Sequence, residues 1–404
     1  MRRRLLEALG VVAVLLAVTL LLKLTPAAVA GQSPAAQATG GQAAKTAGAP
    51  KTPWGEPDLQ GIWTDDFQTP LQRAPRYATK EVFTEEERAE LDRQRAGILR
   101  RDQRVTQGSE RDVAGAYNAV FQSIKHTGKR TSLVVDPPDG RIPPLTPEAK
   151  KRADQDREFR LALLQPTATC KNQEAACAGG KYGPVSPKIA ELPSTYNTGR
   201  LNRADGPEDR SMQERCMAAV LPDFTGYRRI VQSPGSVSIF YDVGQGQGWQ
   251  RIIPVNGGPH VPPSIRQRFG DSRGRWEGNT LVVDVTNFSP KSDFAGAREN
   301  LHLVERWTRV NANTIEYAVT IEDPTTWTKP WTVKQEMTSQ NEQANRIYYE
   351  PRCHEGNYGL PGMLAGRRSE EAAFAEGRGP DPATKDTATD FGNEGGVDTL
   401  LGGG

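Results

Sequence analysis

The residues of this chain best suited to chemistry are few: four histidines and four cysteines among 404 residues. His260 follows Asn256-Gly257-Gly258-Pro259, a glycine loop that allows close approach of a ligand. His302 opens an apolar alternating run with Val304 and Arg306 on its own face, and His354 sits between Cys353 and Glu355. A neutral imidazole oriented by a carboxylate is a general base, and Asp271, Glu277 and Glu355 are the carboxylates within reach in sequence. No Gly-x-Ser-x-Gly elbow or other nucleophile motif accompanies them, so a plain loop hydrogen bond for each histidine stands as the alternative. The loops carrying residues 256–260, 271–277 and 354–358 hold the densest mixture of glycine, histidine, carboxylate and arginine, and loops are where function concentrates. His260, Arg273, Glu277 and His354 are therefore expected to line one common ligand-binding cavity.

The cysteines point to structure. Cys170 and Cys177 share one Gly- and Asn-containing stretch, while Cys216 and Cys353 lie far apart. Four cysteines in an exported chain suggest two disulfides, with three possible connectivities; proximity favours Cys170 with Cys177 and leaves Cys216 for Cys353. The alternative is a metal held by Cys353, His354 and His260 or His302. Neighbouring Cys and His on a strand point to opposite faces and make a poor chelate, so neither a metal nor a cofactor is expected. Arg141, Arg251, Arg273, Arg275 and Arg306 either clamp an anion or pair with Asp136, Asp139, Asp271, Glu277 and Glu305, whose charges nearly cancel theirs. Trp249, Trp276, Trp307, Trp327 and Trp331, with Tyr317, Tyr348 and Tyr349, either line an apolar cavity or fill a packed core.

The elements that must position these groups change character along the chain. Thr84 with Glu87 forms a capping box ahead of a surface helix running from residue 85 to about 104. Thr146-Pro147-Glu148 reads as an N-cap, a proline at the first helical position and an early acid, for a helix ending near Leu164, docked by its apolar end. Residues 165–226 read as a long wrapped loop. From Tyr227 the period becomes two: residues 229–231, 236–241, 249–255, 280–288, 302–310, 314–321, 332–338 and 346–350 are strand-like and separated by turn signals. Ile315, Tyr317, Val319 and Ile321 alternate with Glu316, Ala318 and Thr320, the pattern of an antiparallel sheet with one wet face. Asn311-Ala312-Asn313 is a tight hairpin connection. Such a series describes a mainly β fold with peripheral helices: an antiparallel up-and-down meander that curls into a barrel or a strongly bent sheet, with helices and long loops packed around it.

Both ends differ from this middle. Residues 1–4 are basic, residues 8–22 are apolar, and Ala28-Val29-Ala30 has the small-x-small form of a leader-peptidase site, so residues 1–30 read as a secretory signal, with an uncleaved anchor as the alternative. Residues 31–52 lack large apolar side chains and read as a disordered spacer; residues 367–404 read as a mobile tail with a short helix over 370–375. The domain plan is thus a signal, a spacer, an irregular partly helical segment over 53–226, a β domain over 227–366 and a tail. The formal charge of +2 falls to −1 once the signal's three net positive charges are removed. A near-neutral exported chain gives no reason to expect nucleic acid or, after cleavage, a membrane surface as partner.

Residues 270–288, Gly-Asp-Ser-Arg-Gly-Arg-Trp-Glu-Gly-Asn-Thr-Leu-Val-Val-Asp-Val-Thr-Asn-Phe, resemble the hallmark of a family of exported bacterial proteins, common in acidobacterial and proteobacterial genomes, that carries no assigned function. Supporting segments lie at 57–63, 136–143, 301–309, 323–325, 330–331 and 353–358. The family's expected Asp is Asn279 here, which removes one charge beside the hairpin. The resemblance implies an exported protein and is silent on chemistry. Gly61-Ile62-Trp63 is similar to the Gly-x-Trp that opens lipocalin-type barrels, where the aromatic closes one end.

Three functions from different classes fit these observations. The first is a binding module for a small, partly apolar ligand held in the barrel mouth. The second is a hydrolase- or isomerase-type enzyme using His260 or His354 with a neighbouring carboxylate. The third is an envelope interaction protein working through a sheet edge and mobile ends. An open cavity without converging polar groups favours the first, a histidine meeting a carboxylate in a cavity favours the second, and a closed, dry, aromatic-filled barrel favours the third.

Overall fold

The structure is a computed structural model, and it describes residues 50–65, 67–99, 126–164, 206–207, 221–224, 226–244, 247–340 and 359–384. All belong to one compact unit, Ala49–Gly404. The segments expected to be a signal and most of a spacer, all four cysteines, His354 and the strand expected over 346–350 lie outside the described residues.

The strands are β1 (Gly61–Thr64), β2 (Phe67–Gln68), β3 (His126–Thr127), β4 (Val134–Asp136), β5 (Tyr227–Ser233), β6 (Ser236–Gly244), β7 (Gln247–Pro254), β8 (Asp271–Glu277), β9 (Thr280–Thr286), β10 (His302–Asn311), β11 (Thr314–Glu322) and β12 (Trp331–Ser339). The helices are α1 (Glu85–Leu99), α2 (Pro147–Leu164) and α3 (Gly359–Ala375). Nine strands form one antiparallel path, β7-β6-β5-β1-β12-β11-β10-β9-β8, nearly closed into a barrel, with β4 added beside β12. This is the up-and-down architecture expected. β1 belongs to it, paired between β5 and β12, so the first part of the chain supplies a wall strand rather than only wrapping the sheet.

An odd number of alternating strands has a geometrical consequence. β7 and β8, the two ends of the path, run in the same direction. They meet through a single parallel bridge, Val255 to Gly274, supported by Asn256 N–H donating to the Gly274 carbonyl at 2.8 Å. The chain must then return from the end of β7 to the start of β8, and residues 256–270 make that crossover. This seam is where the barrel wall lacks a continuous ladder.

Turn chemistry sets the registers. Pro234-Gly235 joins β5 to β6, with Gly235 at φ +76°, and Gly278-Asn279 joins β8 to β9, with Gly278 at φ +61°. Both glycines supply the positive φ that these turns need. Period-two alternation then sends one face of every strand inward: Ile230, Ile239, Ile253, Val283, Val285, Leu303, Val319 and Val333 are all buried. The end that carries these hairpins is closed by Trp63, whose indole N–H donates to the Leu59 carbonyl at 2.9 Å while the Arg309 guanidinium lies 5.1 Å above its ring. Gln232 fastens the same segment through Leu59 N–H and the Pro57 carbonyl. The opposite end is covered by Phe294, Trp327 and Trp331, with Phe224 against Phe294 and Tyr317.

Around the barrel, α1 carries the expected capping box, Thr84 N–H to Glu87 at 2.8 Å and Glu87 N–H to Thr84 at 3.3 Å. α2 has the expected bounds and its Thr146 cap, and it is tied to the barrel by its first turns, Thr146 and Arg152 both donating to the Thr325 carbonyl. Two boundaries move. Thr52 is buried and bonded to Glu56, so ordered chain begins within the expected spacer. The C-terminal helix is 17 residues long rather than a short piece, and Arg367 donates to the Pro382 carbonyl, which ties the following residues back to it.

Candidate functional site

Burying an ion pair costs more than burying a matched apolar pair, so charges inside a barrel mark a place where something besides stability is served. Inside this barrel Arg251 of β7 and Glu305 of β10 are both almost fully buried. Arg251 reaches across the lumen. Its Nε donates to Ser272 of β8 at 2.8 Å, its Nη1 donates to the Tyr241 hydroxyl of β6 at 3.2 Å, and the same Nη1 lies 2.7 Å from Glu305 Oε2 as an ion contact. Tyr317 of β11 donates its hydroxyl to Glu305 Oε1 at 2.8 Å. The layer thus ties five strands across the lumen.

The electrostatics are those of a deeply buried site. Burial pushes the Tyr241 phenol up to about 12, with Arg251 pulling it back and Glu305 adding to the rise. Burial, then the Glu305 charge, holds Tyr317 well above the ordinary phenol value, so both hydroxyls stay protonated, Tyr317 donating to Glu305 and Tyr241 accepting from Arg251. Burial works against the Arg251 cation, but Glu305 and Tyr241 more than offset it and the guanidinium stays charged. Aromatic rings flank the layer: Tyr241 stacks on Trp249 with centroids 4.2 Å apart, Trp249 on Phe269 at 3.9 Å, and Trp307 tilts over Tyr317 at 4.3 Å. Arg228 of β5, buried beside Asp223 at 3.3 Å, lies 4.5 Å over the Tyr241 ring.

Several buried groups of this inner face meet no hydrogen-bond partner among the described residues: Arg251 Nη2, the indole N–H groups of Trp249, Trp307 and Trp331, and the acceptors Glu305 Oε2, which has only its ion contact with Arg251, and Gln335 Oε1. A buried donor left unmade costs about 1–3 kcal/mol, and native interiors hold few such groups.

The residues singled out in the sequence fall elsewhere. His260 lies in the crossover, on the outer face of the wall. Its Nδ1 is 2.8 Å from Asp271 Oδ2 and its Nε2 is 2.9 Å from Asp284 Oδ1. Arg273 is cross-strand from Asp284 and forms an ion pair with the same Asp271 oxygen at 3.2 Å. His260 and Arg273 are therefore brought together. Glu277 is not among them: it sits at the other end of β8, about 20 Å along the strand, bonded to Arg306 and Arg275, which hold its carboxyl below the usual range. Glu277 thus stands apart from His260 and Arg273, because β8 is a strand and not the short loop the sequence suggested, and His354 lies outside the described residues. Of the arginines, Arg251, Arg273, Arg275 and Arg306 all pair with carboxylates, the second of the two roles foreseen. The tryptophans at 249, 307, 327 and 331 are buried in the core.

Sequence reasoning missed the layer itself, although its signal was present: Arg251, Glu305 and Gln335 interrupt otherwise apolar inward positions of their strands. No family model matches the chain, and no curated protein matches it.

Proposed function

We propose that the protein binds a small, partly apolar ligand inside the barrel, with the Arg251 layer as its polar anchor. The observation that carries this reading is the set of buried inward donors without an acceptor among the described residues, Arg251 Nη2 and the Trp249 and Trp307 indoles, beside closely packed aromatic rings. Donors of this kind call for acceptor oxygens, and flat aromatic walls call for a planar apolar body. The ligand class is therefore a planar, partly apolar molecule with at least one acceptor oxygen or anionic group. An aromatic-filled barrel by itself favours the interaction protein; the buried Arg251–Glu305 pair and the donors beside it are what favour a ligand here.

Catalysis by His260 is less well supported. Both its ring nitrogens already face carboxylates, so neither is free to take a proton from a substrate.

Titration with anilinonaphthalene sulfonate, a planar aromatic anion, tests the reading. Arg251→Met with Glu305→Gln removes both charges together, leaves none unpaired and keeps an acceptor for Tyr317. Wild-type protein should bind one probe saturably with quenching of tryptophan emission, and the folded double variant should bind about tenfold more weakly. Equal affinity in the two proteins would contradict it.

A further inference from the structure

The crossover over residues 256–270 is held to the outer wall by an unusual pin. A neutral imidazole donates from one nitrogen only, yet His260 has a carboxylate oxygen at hydrogen-bond distance from each. Asp271 Oδ2 also accepts Val261 N–H at 3.1 Å, so one oxygen gathers two adjacent residues of the crossover. Both ring contacts are donors only when the imidazole carries two protons. With one proton, a lone pair faces a carboxylate, and one end of the bridge turns from attraction to repulsion.

The groups facing the pin come from every neighbouring strand. They are Asp271 and Arg273 of β8, Asp284 of β9, His302 of β10 at 3.3 Å from Asp284, and Glu322 of β11 at 3.5 Å from His302. The His260 side chain is 28% exposed, so solvent protons reach it. The crossover also closes the seam: it starts at the single β7–β8 bridge and ends in Phe269, stacked on Trp249 of the inner face. Beyond His260 it is fastened by Asn287 to the Val261 carbonyl, by Gln267 N–H to the Asn287 carbonyl and by the Arg266 guanidinium to the Glu299 carbonyl at 2.7 Å.

We propose that residues 256–270 form a proton-dependent strap across the β7–β8 seam, pinned by His260 between Asp271 and Asp284, which loosens as pH rises. That loosening admits a ligand to the interior rests on the function proposed above; the strap itself does not, and it is tested without any ligand.

The experiment is amide hydrogen exchange of residues 257–268, corrected for the intrinsic pH dependence, in the full chain at about pH 5.5 and 8.5, either side of the ordinary imidazole range. Exchange in the strap should rise about tenfold relative to β10 at the higher pH. Asp284→Asn supplies an amide that donates to the neutral ring nitrogen, so in that variant the strap should exchange alike at both values. His302→Gln should keep the wild-type response. An unchanged wild-type strap, the same response in Asp284→Asn, or loss of the response in His302→Gln would each overturn the proposal.

Discussion

Tyr241 and Tyr317 decide what kind of interior this is. Each hydroxyl is buried against the Arg251–Glu305 pair, and neither can ionise without placing a second negative charge beside Glu305. In the unfolded chain the same phenols lose their protons near pH 10. A raised folded value means that the folded state holds its protons longer, so this stability is complete below pH 10 and is lost as pH climbs through about 12. For Tyr241 alone the loss across that window is about 3 kcal/mol. Phenolate absorbance followed with circular dichroism checks it: two of the ten tyrosines should ionise only as the barrel unfolds. Full ionisation of all ten in the folded protein would refute the buried layer. At this scale the sequence was legible in residue types and not in pairings. His260 with an aspartate was foreseen, but Asp284 as its second partner depends on a crossover that no local pattern announces.

Among the elements, β8 carries the most instructive difference. Asp-Ser-Arg-Gly-Arg-Trp-Glu has no apolar alternation, because its inward positions are Ser272, which serves Arg251, Gly274, which lets Ile253 approach, and Trp276. β6, β9, β11 and β12 were legible because most of their inward positions are apolar, and β5, β7 and β10 were read in spite of the buried polar members Arg228, Gln232, Arg251 and Glu305. β1 is only four residues long and was visible mainly through its Gly-x-Trp. Where the crossover meets β8, Gly270 sits at φ +65°, and a Cβ there would lie 2.7 Å from the Thr286 carbonyl and 2.8 Å from a Val285 methyl. Gly270→Ala should therefore destabilise by about 1–3 kcal/mol. Gly278→Asn, also at positive φ but with nothing within 4 Å, should be nearly neutral because Asn tolerates that conformation. Denaturant midpoints of the two variants compare them directly; equal losses would mean that the crossover junction is not close-packed.

For the whole molecule, the barrel, its antiparallel order and the helix caps follow from patterns that local physics reads well: period-two burial, turn glycines and capping hydroxyls. Closure does not, because the parallel seam and the lumen-spanning ion pair join residues from strands distant in sequence. Among the described residues one end is covered by Trp63 and Arg309 and the other by the Phe294 and Trp327 cluster, and the seam is the interruption in the wall between them. The central claim is that the buried inward donors serve a ligand. Native mass spectrometry of the protein purified from the cells that make it measures this most directly. The account predicts a small-molecule adduct in one-to-one ratio, released on denaturation and absent after purification of the Arg251→Met, Glu305→Gln double variant. A folded wild-type protein that carries no adduct, or an adduct retained equally by the double variant, would contradict it.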